Sequence, residues 1–252
     1  MKRLVTYNIT ESDMEWTLFY TRDSVHDAFR PLAAELARQY SSSDSRPYCV
    51  AIGGPPGCGK SAVAAVLKRL ISEAGVTTEV LPLDGFHLKN EVLKSRHTSL
   101  DGNLVSLYAL KGAKETYDTE RLKSSLNRLR AGDRFHWPSY SRITHEPSYE
   151  GFLIENLNTL YLIEGNYLLL QEEPWNSLRS FFDRALHIYS REQLLRKRII
   201  SRKMRGGYSG RDARVHYRQC DRRNIRDVLQ GSGGWDYQLR HTRKFRYELE
   251  LW

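Results

Sequence analysis

Cysteine and long apolar runs are scarce in this sequence of 252 residues. Its three cysteines, Cys49, Cys58 and Cys220, are odd in number and lack the CxxC spacing that zinc sites and disulfide frameworks use. No segment approaches the roughly 20 consecutive apolar residues of a membrane-spanning helix. The first residues turn polar before an apolar core develops, which predicts no secretory signal. These absences favour a cytoplasmic protein without a membrane partner.

Acidic residues are also in the minority. The formal net charge is +9, and residues 191–226 hold thirteen Lys and Arg against three Asp and Glu. A surplus of this sign is typical of proteins that bind nucleic acid, and equally of proteins that bind small phosphorylated ligands. Composition alone leaves both classes open.

Strand-like and helix-like segments alternate along the chain. Four short apolar segments predict strands, at residues 48–52, 78–83, 159–163 and 184–189. Four amphipathic segments predict helices, at residues 25–40, 61–74, 118–130 and 191–205. This alternation predicts a three-layer α/β/α fold with a mostly parallel sheet. The alternating segment at residues 244–251 predicts a further strand, which either closes the sheet edge or pairs with the alternating residues 4–9.

A glycine-rich loop lies between the first of these strands and the next helix. It matches the Walker A pattern GxxxxGK[ST] with Gly54, Pro55, Pro56, Gly57, Cys58, Gly59, Lys60 and Ser61. Its glycines let backbone N–H groups converge on phosphate oxygens, and the following helix, which includes Ala62, adds its N-terminal dipole. Lys60 is expected to contact the β- and γ-phosphates and Ser61 to bind Mg²⁺. The loop therefore predicts binding of ATP with Mg²⁺, since the Asn-Lys-x-Asp guanine motif of GTPases is absent.

Two carboxylates follow other predicted strands. Asp84 ends the strand at residues 78–83, where open α/β sheets bind ligands, and it is placed to accept the proton of an attacking hydroxyl. The alternative for Asp84 is a turn residue, because Asp-Gly is a common turn pair. Glu164 directly follows the strand at residues 159–163, where an unpaired carboxylate is costly to bury, so we expect it to have a function.

Further segments of the sequence resemble motifs of one protein family and occur in the same order along the chain. Five of them resemble the phosphoribulokinase/uridine kinase family, at residues 84–87, 90–94, 111–118, 138–142 and 161–170. This family includes type I pantothenate kinases and fructokinase-like bacterial proteins. The resemblance implies a P-loop NTPase fold with a small lid, and Mg²⁺-dependent transfer of the γ-phosphoryl group of ATP to a hydroxyl of a small metabolite. The resemblance spans about residues 48–207. We expect one kinase domain over residues 1–252, with an N-terminal extension and helix at 1–45, a core at 46–207, and helices and a strand at 208–252.

The resemblance also implies roles for single residues. It makes Asp84 the catalytic base and Glu164 the carboxylate near Mg²⁺, and it places Asn224 near the adenine. The residues expected on the acceptor side are His87, Arg96, Tyr140, Arg142, His145, Asn166 and Tyr167. The histidines and Tyr140 have an ordinary structural alternative, and Arg96 has a solvated loop as its alternative.

Two departures from the family patterns leave the acceptor open among pantothenate, a sugar and a nucleoside. Ser141 stands where uridine kinases usually carry Asp, and Arg142 stands where pantothenate kinases usually carry His.

The basic helix at residues 191–205 is expected to form the lid. Arg198, Arg202 and Arg205 are three and four residues apart and therefore share one helical face. Cations there stabilise the charge that develops on the transferred phosphoryl group, and closure of the lid excludes water. The alternative is a solvated basic face.

Two function classes compete on this evidence. The first is an ATP-dependent small-molecule kinase, in which Lys60 and the lid arginines act with Asp84 in catalysis. The second is a nucleic-acid-binding P-loop NTPase that uses residues 191–226 as its contact surface. Aromatic residues are not interleaved with these arginines as base-stacking platforms would be, which disfavours nucleic acid as a partner. The sequence leaves the oligomeric state open, with a homodimer as one alternative.

Overall fold

The structure is a computed structural model, and it describes residues 4–11, 14–100, 102–141 and 143–251. The strands among these residues are β1 (Leu4–Glu11), β2 (Met14–Thr21), β3 (Tyr48–Gly53), β4 (Thr78–Pro82), β5 (His97–Leu100), β6 (Asn103–Ser106), β7 (Phe135–Ser141), β8 (Glu146–Ile154), β9 (Leu160–Gly165), β10 (Arg184–Ser190), β11 (Tyr237–Arg243) and β12 (Arg246–Leu251). The α-helices are α1 (Arg30–Ser42), α2 (Lys60–Glu73), α3 (Asn90–Ser95), α4 (Thr119–Ala131), α5 (Glu192–Arg205), α6 (Gly210–His216) and α7 (Arg222–Gly231). Short 3₁₀ segments lie at Leu83–Phe86, Leu107–Leu110, Lys114–Thr116 and Trp175–Phe181, and π-helical turns lie at Ser24–Phe29 and Tyr217–Asp221.

The central sheet has six strands in the order β12-β11-β10-β3-β9-β4. All neighbouring pairs are parallel except β11 with β12. Two adjacent interior strands, β3 and β9, are buried along their whole length, as continuous apolar runs in a sheet covered on both faces should be. The predicted α/β fold with a mostly parallel sheet is confirmed.

Alternate residues of β3 lie in two apolar clusters. Val50 and Ile52 pack in the cluster that contains residues of α1 and α2. Cys49 and Ala51 pack in the cluster that contains residues of α4 and β7. Because successive side chains of a strand point to opposite faces, the sheet carries one cluster on each side.

The terminal strands resolve the two alternatives left by the sequence. β12 pairs antiparallel with β11 and closes the sheet edge, whereas β1 pairs with β2 in a separate hairpin. The hairpin lies against the turn between β11 and β12, because the backbone N–H of Thr21 donates to the carbonyl of Phe245 at 2.8 Å. The N- and C-terminal segments therefore pack together beside the sheet.

A second hairpin, β7–β8, fixes the backbone that carries Asp84. Trp137 of β7 is fully buried, and its Nε1 donates to the carbonyl of Pro82 at 3.0 Å. A Cβ on Gly85 would lie 2.1 Å from the carbonyl oxygen of Pro138, so this close approach requires glycine. The sequence did not predict this hairpin, although it sets the position of the 3₁₀ segment at Leu83–Phe86.

Candidate active site

The glycine-rich loop joins the buried end of β3 to the start of α2. Gly57 and Gly59 have φ angles of 81° and 102°, in the left-handed region that favours glycine. A Cβ on Gly59 would lie 2.7 Å from the hydroxyl of Tyr247, so the loop is also closely packed from outside. The first turn of α2 therefore presents backbone N–H groups and the positive end of the helix dipole to the cavity above it.

Lys60 is held inside this loop. Its Nζ donates to Asn166 Oδ1 at 2.6 Å and to the carbonyl of Pro55 at 3.2 Å, and the residue is only 8% exposed. Both partners are neutral oxygens. The positive charge of Lys60 is thus positioned by hydrogen bonds and is not neutralised by either of them.

Ser61 and Glu164 meet at the end of the sheet. The Ser61 hydroxyl donates to Glu164 Oε1 at 2.8 Å, and Glu164 is 8% exposed. Glu164 is opposite Ile52 of β3 and Pro82 of β4, so it lies where three parallel strands end.

A hydroxyl and a carboxylate at this distance fit Mg²⁺, which prefers oxygen ligands and is commonly held by one or two protein groups together with phosphate and water. Among the described residues, no three His, Cys, Asp or Glu side chains cluster as a metal site.

One cavity of about 940 Å³ joins these groups. Its lining includes the predicted residues Pro56, Gly57, Gly59, Lys60, Ser61, Ala62, Asp84, Glu164, Asn166, Arg198, Arg202 and Arg205. Gly54, Pro55 and Cys58 belong to the loop but are not part of this lining. The structure therefore places the predicted base, the predicted metal ligands and the three lid arginines around a single space.

Three aromatic side chains, those of Tyr117, His87 and Tyr140, form a cluster beside Asp84. Asp84 itself is exposed. The Tyr117 hydroxyl donates a long hydrogen bond of 3.5 Å to Asp84 Oδ1. The buried His87 ring lies edge-on to Tyr117 and Tyr140, with ring centres 4.0 and 5.3 Å apart. Burial, opposed by the charge of Asp84 and assisted by that of Lys111, lowers the pKa of His87 to about 4. His87 is therefore neutral near pH 7.

Lys111 is a residue of this side that sequence reasoning did not single out. Its Nζ donates to Asn90 Oδ1 and, at 2.6 Å, to the carbonyl of His145. It also lies 5.4 Å from the centre of the Tyr140 ring. Burial lowers the pKa of Lys111, and the charge of Glu146 opposes this. Lys111 lies in one of the segments that carry the family resemblance, which was the available signal.

Other predicted residues lie elsewhere. Tyr167 is fully buried, and its hydroxyl donates to the carbonyl of Gly112 at 2.7 Å. Asn224 is buried on α7 and does not line the cavity. Arg96 is exposed at the end of α3. Tyr167 and Asn224 thus belong to the packed interior, which a pattern of residue types does not distinguish from a binding site.

The turn between β7 and β8 carries the last two predicted acceptor residues. His145 is exposed there with a φ of 55°, and its carbonyl accepts the hydrogen bonds of Lys111 and Asn90. Arg142 lies outside the described residues.

The basic helix α5 forms one wall of the cavity. Arg198 Nη1 donates to the carbonyl of Cys58 and to Nδ1 of His241, both at 3.3 Å. Sequence reasoning missed the residues that line the same cavity from the terminal hairpins, Leu18, His241, Lys244 and Phe245. It predicted only a strand at residues 244–251 and made no assignment for the segments that hold Leu18 and His241. Within the described ranges, no helix is both long and apolar enough to cross a bilayer.

Comparison with known proteins agrees with this architecture. Residues 49–218 match the model of the Phosphoribulokinase / Uridine kinase family. Uncharacterized protein YggC of Escherichia coli K12 is 32% identical over 232 residues, which cover 91% of this chain and 93% of that protein. Pantothenate kinase of Lactococcus lactis subsp. cremoris is 29% identical over 161 residues, which cover 62% of this chain and 49% of the kinase.

A solved structure extends the comparison to the fold. The crystal structure of a protein provisionally named as a fructose transport system kinase, from Silicibacter sp. TM1040, superposes with a TM-score of 0.75. It is 26% identical and covers 83% of this chain and 97% of its own. The family match spans most of the sequence and includes the phosphate loop. The chain belongs to the phosphoribulokinase/uridine kinase family of P-loop kinases.

Proposed function

We propose that the protein transfers the γ-phosphoryl group of ATP to a hydroxyl of a small metabolite, with residues 1–252 acting as one kinase domain. One observation carries the proposal: Asp84 lines the same cavity as Lys60, Ser61 and Glu164, although it follows a different strand. A carboxylate at that place can orient the hydroxyl of an acceptor and accept its proton, as a transferase requires.

The donor half consists of the loop, Lys60 and the start of α2. Lys60 is held by a neutral amide oxygen of Asn166, and a charged phosphate oxygen is a stronger partner for an ammonium group. Binding of a triphosphate therefore transfers Lys60 from Asn166 to the ligand without a large movement. Ser61 and Glu164 would hold Mg²⁺, which when bound neutralises phosphate charge and orients the phosphoryl group.

Transfer itself needs the acceptor hydroxyl in line with the γ-phosphorus. The hydroxyl oxygen forms a new bond to phosphorus as the bond from phosphorus to the β–γ bridging oxygen breaks, and ADP leaves. The hydroxyl proton passes to the Asp84 carboxylate. Arg198, Arg202 and Arg205 face the cavity from α5, where their charges stabilise the oxygens of the group in transfer.

The acceptor half lies around Asp84, His87, Tyr140 and Lys111. It combines aromatic faces with a neutral histidine and one cation. Such a lining suits a small polar molecule with a free hydroxyl. The relatives include pantothenate kinases, a protein provisionally named as a fructose transport system kinase and one from Schizosaccharomyces pombe provisionally named as a uridine kinase. Pantothenate, sugars and nucleosides are therefore the acceptor classes to test.

The test is an ADP-release assay with Mg·ATP and a panel of pantothenate, hexoses, nucleosides and short hydroxy acids. We expect one class to stimulate ADP release. Asp84→Asn should lower acceptor-dependent turnover by about 10²–10⁴-fold, the usual contribution of a general base, with ATP affinity nearly unchanged.

The control is Asp133→Asn, whose carboxylate lies in an exposed pair with Arg128 just after the end of α4. An equal loss of ATP affinity and turnover in Asp84→Asn would contradict the assignment of the base. ADP release stimulated by DNA or RNA, and by no small acceptor, would favour the nucleic-acid alternative.

A further inference from the structure

The turn side of the β11–β12 hairpin reaches the phosphate loop from outside the residues that the family model matches. The Tyr247 hydroxyl donates to the carbonyl of Cys58 at 2.8 Å, and Tyr247 is 3% exposed. His241, from the paired strand, stacks on the Tyr247 ring with centres 4.7 Å apart and planes 28° apart. Both residues are buried, and the Tyr247 hydroxyl lies against Gly59.

Arg198 contacts two of the same groups, the carbonyl of Cys58 and the ring of His241. Its Nη1 donates to the carbonyl of Cys58 and to Nδ1 of His241, each at 3.3 Å. A guanidinium has only donors, so His241 must be neutral and must accept through Nδ1. Ser190 lies 3.1 Å from the same Nδ1 and can donate its hydroxyl proton to it. Burial and the charge of Arg198, opposed by a backbone hydrogen bond at Arg243, lower the pKa of His241 to about 4, so the accepting form prevails near pH 7.

The hairpin is itself anchored. The backbone N–H of Tyr247 donates to Ser24 Oγ at 2.8 Å, and the Tyr247 ring lies 5.4 Å from Phe29 and 5.9 Å from Tyr20. A support that holds an arginine must be more rigid than the arginine, and buried aromatic packing provides that rigidity.

The other two arginines of the wall differ from Arg198. Arg202 and Arg205 line the cavity and are exposed. In the part of the chain that the structure describes, neither guanidinium has a hydrogen bond or ion pair. The three arginines share one helical face, but Arg198 is held by two hydrogen bonds whereas Arg202 and Arg205 are exposed to solvent.

We propose that His241 and Tyr247 are positioning residues that fix Arg198 against the phosphate loop before nucleotide binds. Arg198 then acts as a stationary cation, whose orientation costs nothing when the phosphates arrive. Arg202 and Arg205 are the cations that must become ordered on binding. This inference rests on the proposed function, because it assigns the positioned charge to the phosphates of the donor.

A double-mutant cycle on ADP affinity, measured by calorimetric titration with Mg²⁺, tests the proposal without any acceptor. We expect Arg198→Ala and His241→Leu each to weaken ADP binding by about tenfold, the typical size of a charge-assisted hydrogen bond. The double variant should be no weaker than Arg198→Ala alone, because both changes remove one interaction.

Two further variants and one control variant distinguish a loss of Arg198 positioning from a general disturbance of the fold. His241→Asn supplies an oxygen near the place of Nδ1 and should restore most of the affinity. Tyr247→Phe removes only the hydroxyl at Cys58 and should weaken ADP binding, whereas Tyr237→Phe should not. Tyr237 lies on the same strand as His241, and its hydroxyl bonds to Gln39 away from the cavity.

Additive losses in the cycle, or no rescue by His241→Asn in a folded protein, would overturn the positioning role. Wild-type protein that fails to bind ADP would instead overturn the proposed function, so the two failures are distinguishable.

Discussion

Ser61 Oγ donates to Glu164 Oε1 at 2.8 Å, and this contact joins the first turn of α2 to the end of β9. The two residues are more than one hundred positions apart in the chain and meet only because β3 and β9 are neighbours. A buried carboxylate is costly unless it is paired. Its hydrogen bond to a hydroxyl and its opening to the cavity are what a cation-binding pair requires.

Glu164→Gln should weaken the binding of Mg²⁺ and leave the metal-free binding of ADP nearly unchanged. The amide keeps the shape and can still accept from Ser61, but it has no charge to attract Mg²⁺. We expect the Mg²⁺ concentration for half-maximal ADP release to rise at least about tenfold, because outer ligands of a metal are typically worth that much. ADP affinity in EDTA should change little.

The matched control for this change is Glu155→Gln, which removes an exposed carboxylate after β8. An unchanged Mg²⁺ requirement in Glu164→Gln would mean that Glu164 is a structural partner of Ser61 only.

Asn166→Asp should weaken ATP binding more than Asn166→Ala does. The aspartate would form an ion pair with Lys60, and a phosphate would have to displace it while being repelled by the new charge. We expect an ATP dissociation constant about tenfold or more above wild type for the aspartate variant, since one charge-assisted bond is lost.

Alanine removes the same hydrogen bond without adding charge and is therefore the control for Asn166→Asp. Equal effects of the two variants in a calorimetric titration would contradict competition at Lys60.

Lys111→Met should weaken binding of the acceptor and not binding of ATP. Lys111 joins three separate segments through Asn90, the carbonyl of His145 and the Tyr140 ring. Its loss should raise the KM of the acceptor identified in the panel by about tenfold, the size expected for a lost bond to a charged group. The KM of ATP should stay near wild type.

The matched change for Lys111 is Lys114→Met, because Lys114 pairs with Glu172 instead. A rise in the KM of ATP in Lys111→Met would place this lysine on the donor side.

The donor half of the site was predictable because its information is local. Residues 54–61 are contiguous, the strand before them is a continuous apolar run, and the helix after them has a clear apolar period. The role of Glu164 was suggested by its position, as a charged residue directly after an apolar run. The contacts that define each of these residues still depend on the sheet order, which the sequence did not specify.

The acceptor half was less predictable for a physical reason. β7 contains Pro138 and β8 is largely exposed, so neither has the alternation of a half-buried strand. The contacts of Lys111 join segments far apart in the chain. Tyr167 shows the converse: it follows a site motif in sequence, but packing against Tyr117 and Trp175 places it in the core.

The stability of the protein should fall with acid through buried histidines, and His187 gives the sharpest test. His187 Nδ1 accepts from Gln238 Nε2 at 3.0 Å, and its ring stacks on Trp235 with centres 4.4 Å apart. Burial and, to a smaller extent, the charge of Lys60 lower the pKa of His187 from its usual 6.5 to about 4. The folded state therefore keeps this ring neutral.

Between pH 6.5 and about 4 the unfolded chain binds a proton at His187 that the folded protein does not bind. Stability from this group is thus complete above pH 6.5 and is lost progressively as the pH falls toward 4. His187→Phe keeps a ring against Trp235 and removes the titration. The difference in unfolding free energy between about pH 7.5 and pH 5, measured with urea, should be about 2 kcal/mol smaller in this variant than in wild type. The same pH dependence in both proteins would show that His187 is not held neutral, because burial without a depressed pKa cannot couple folding to protons.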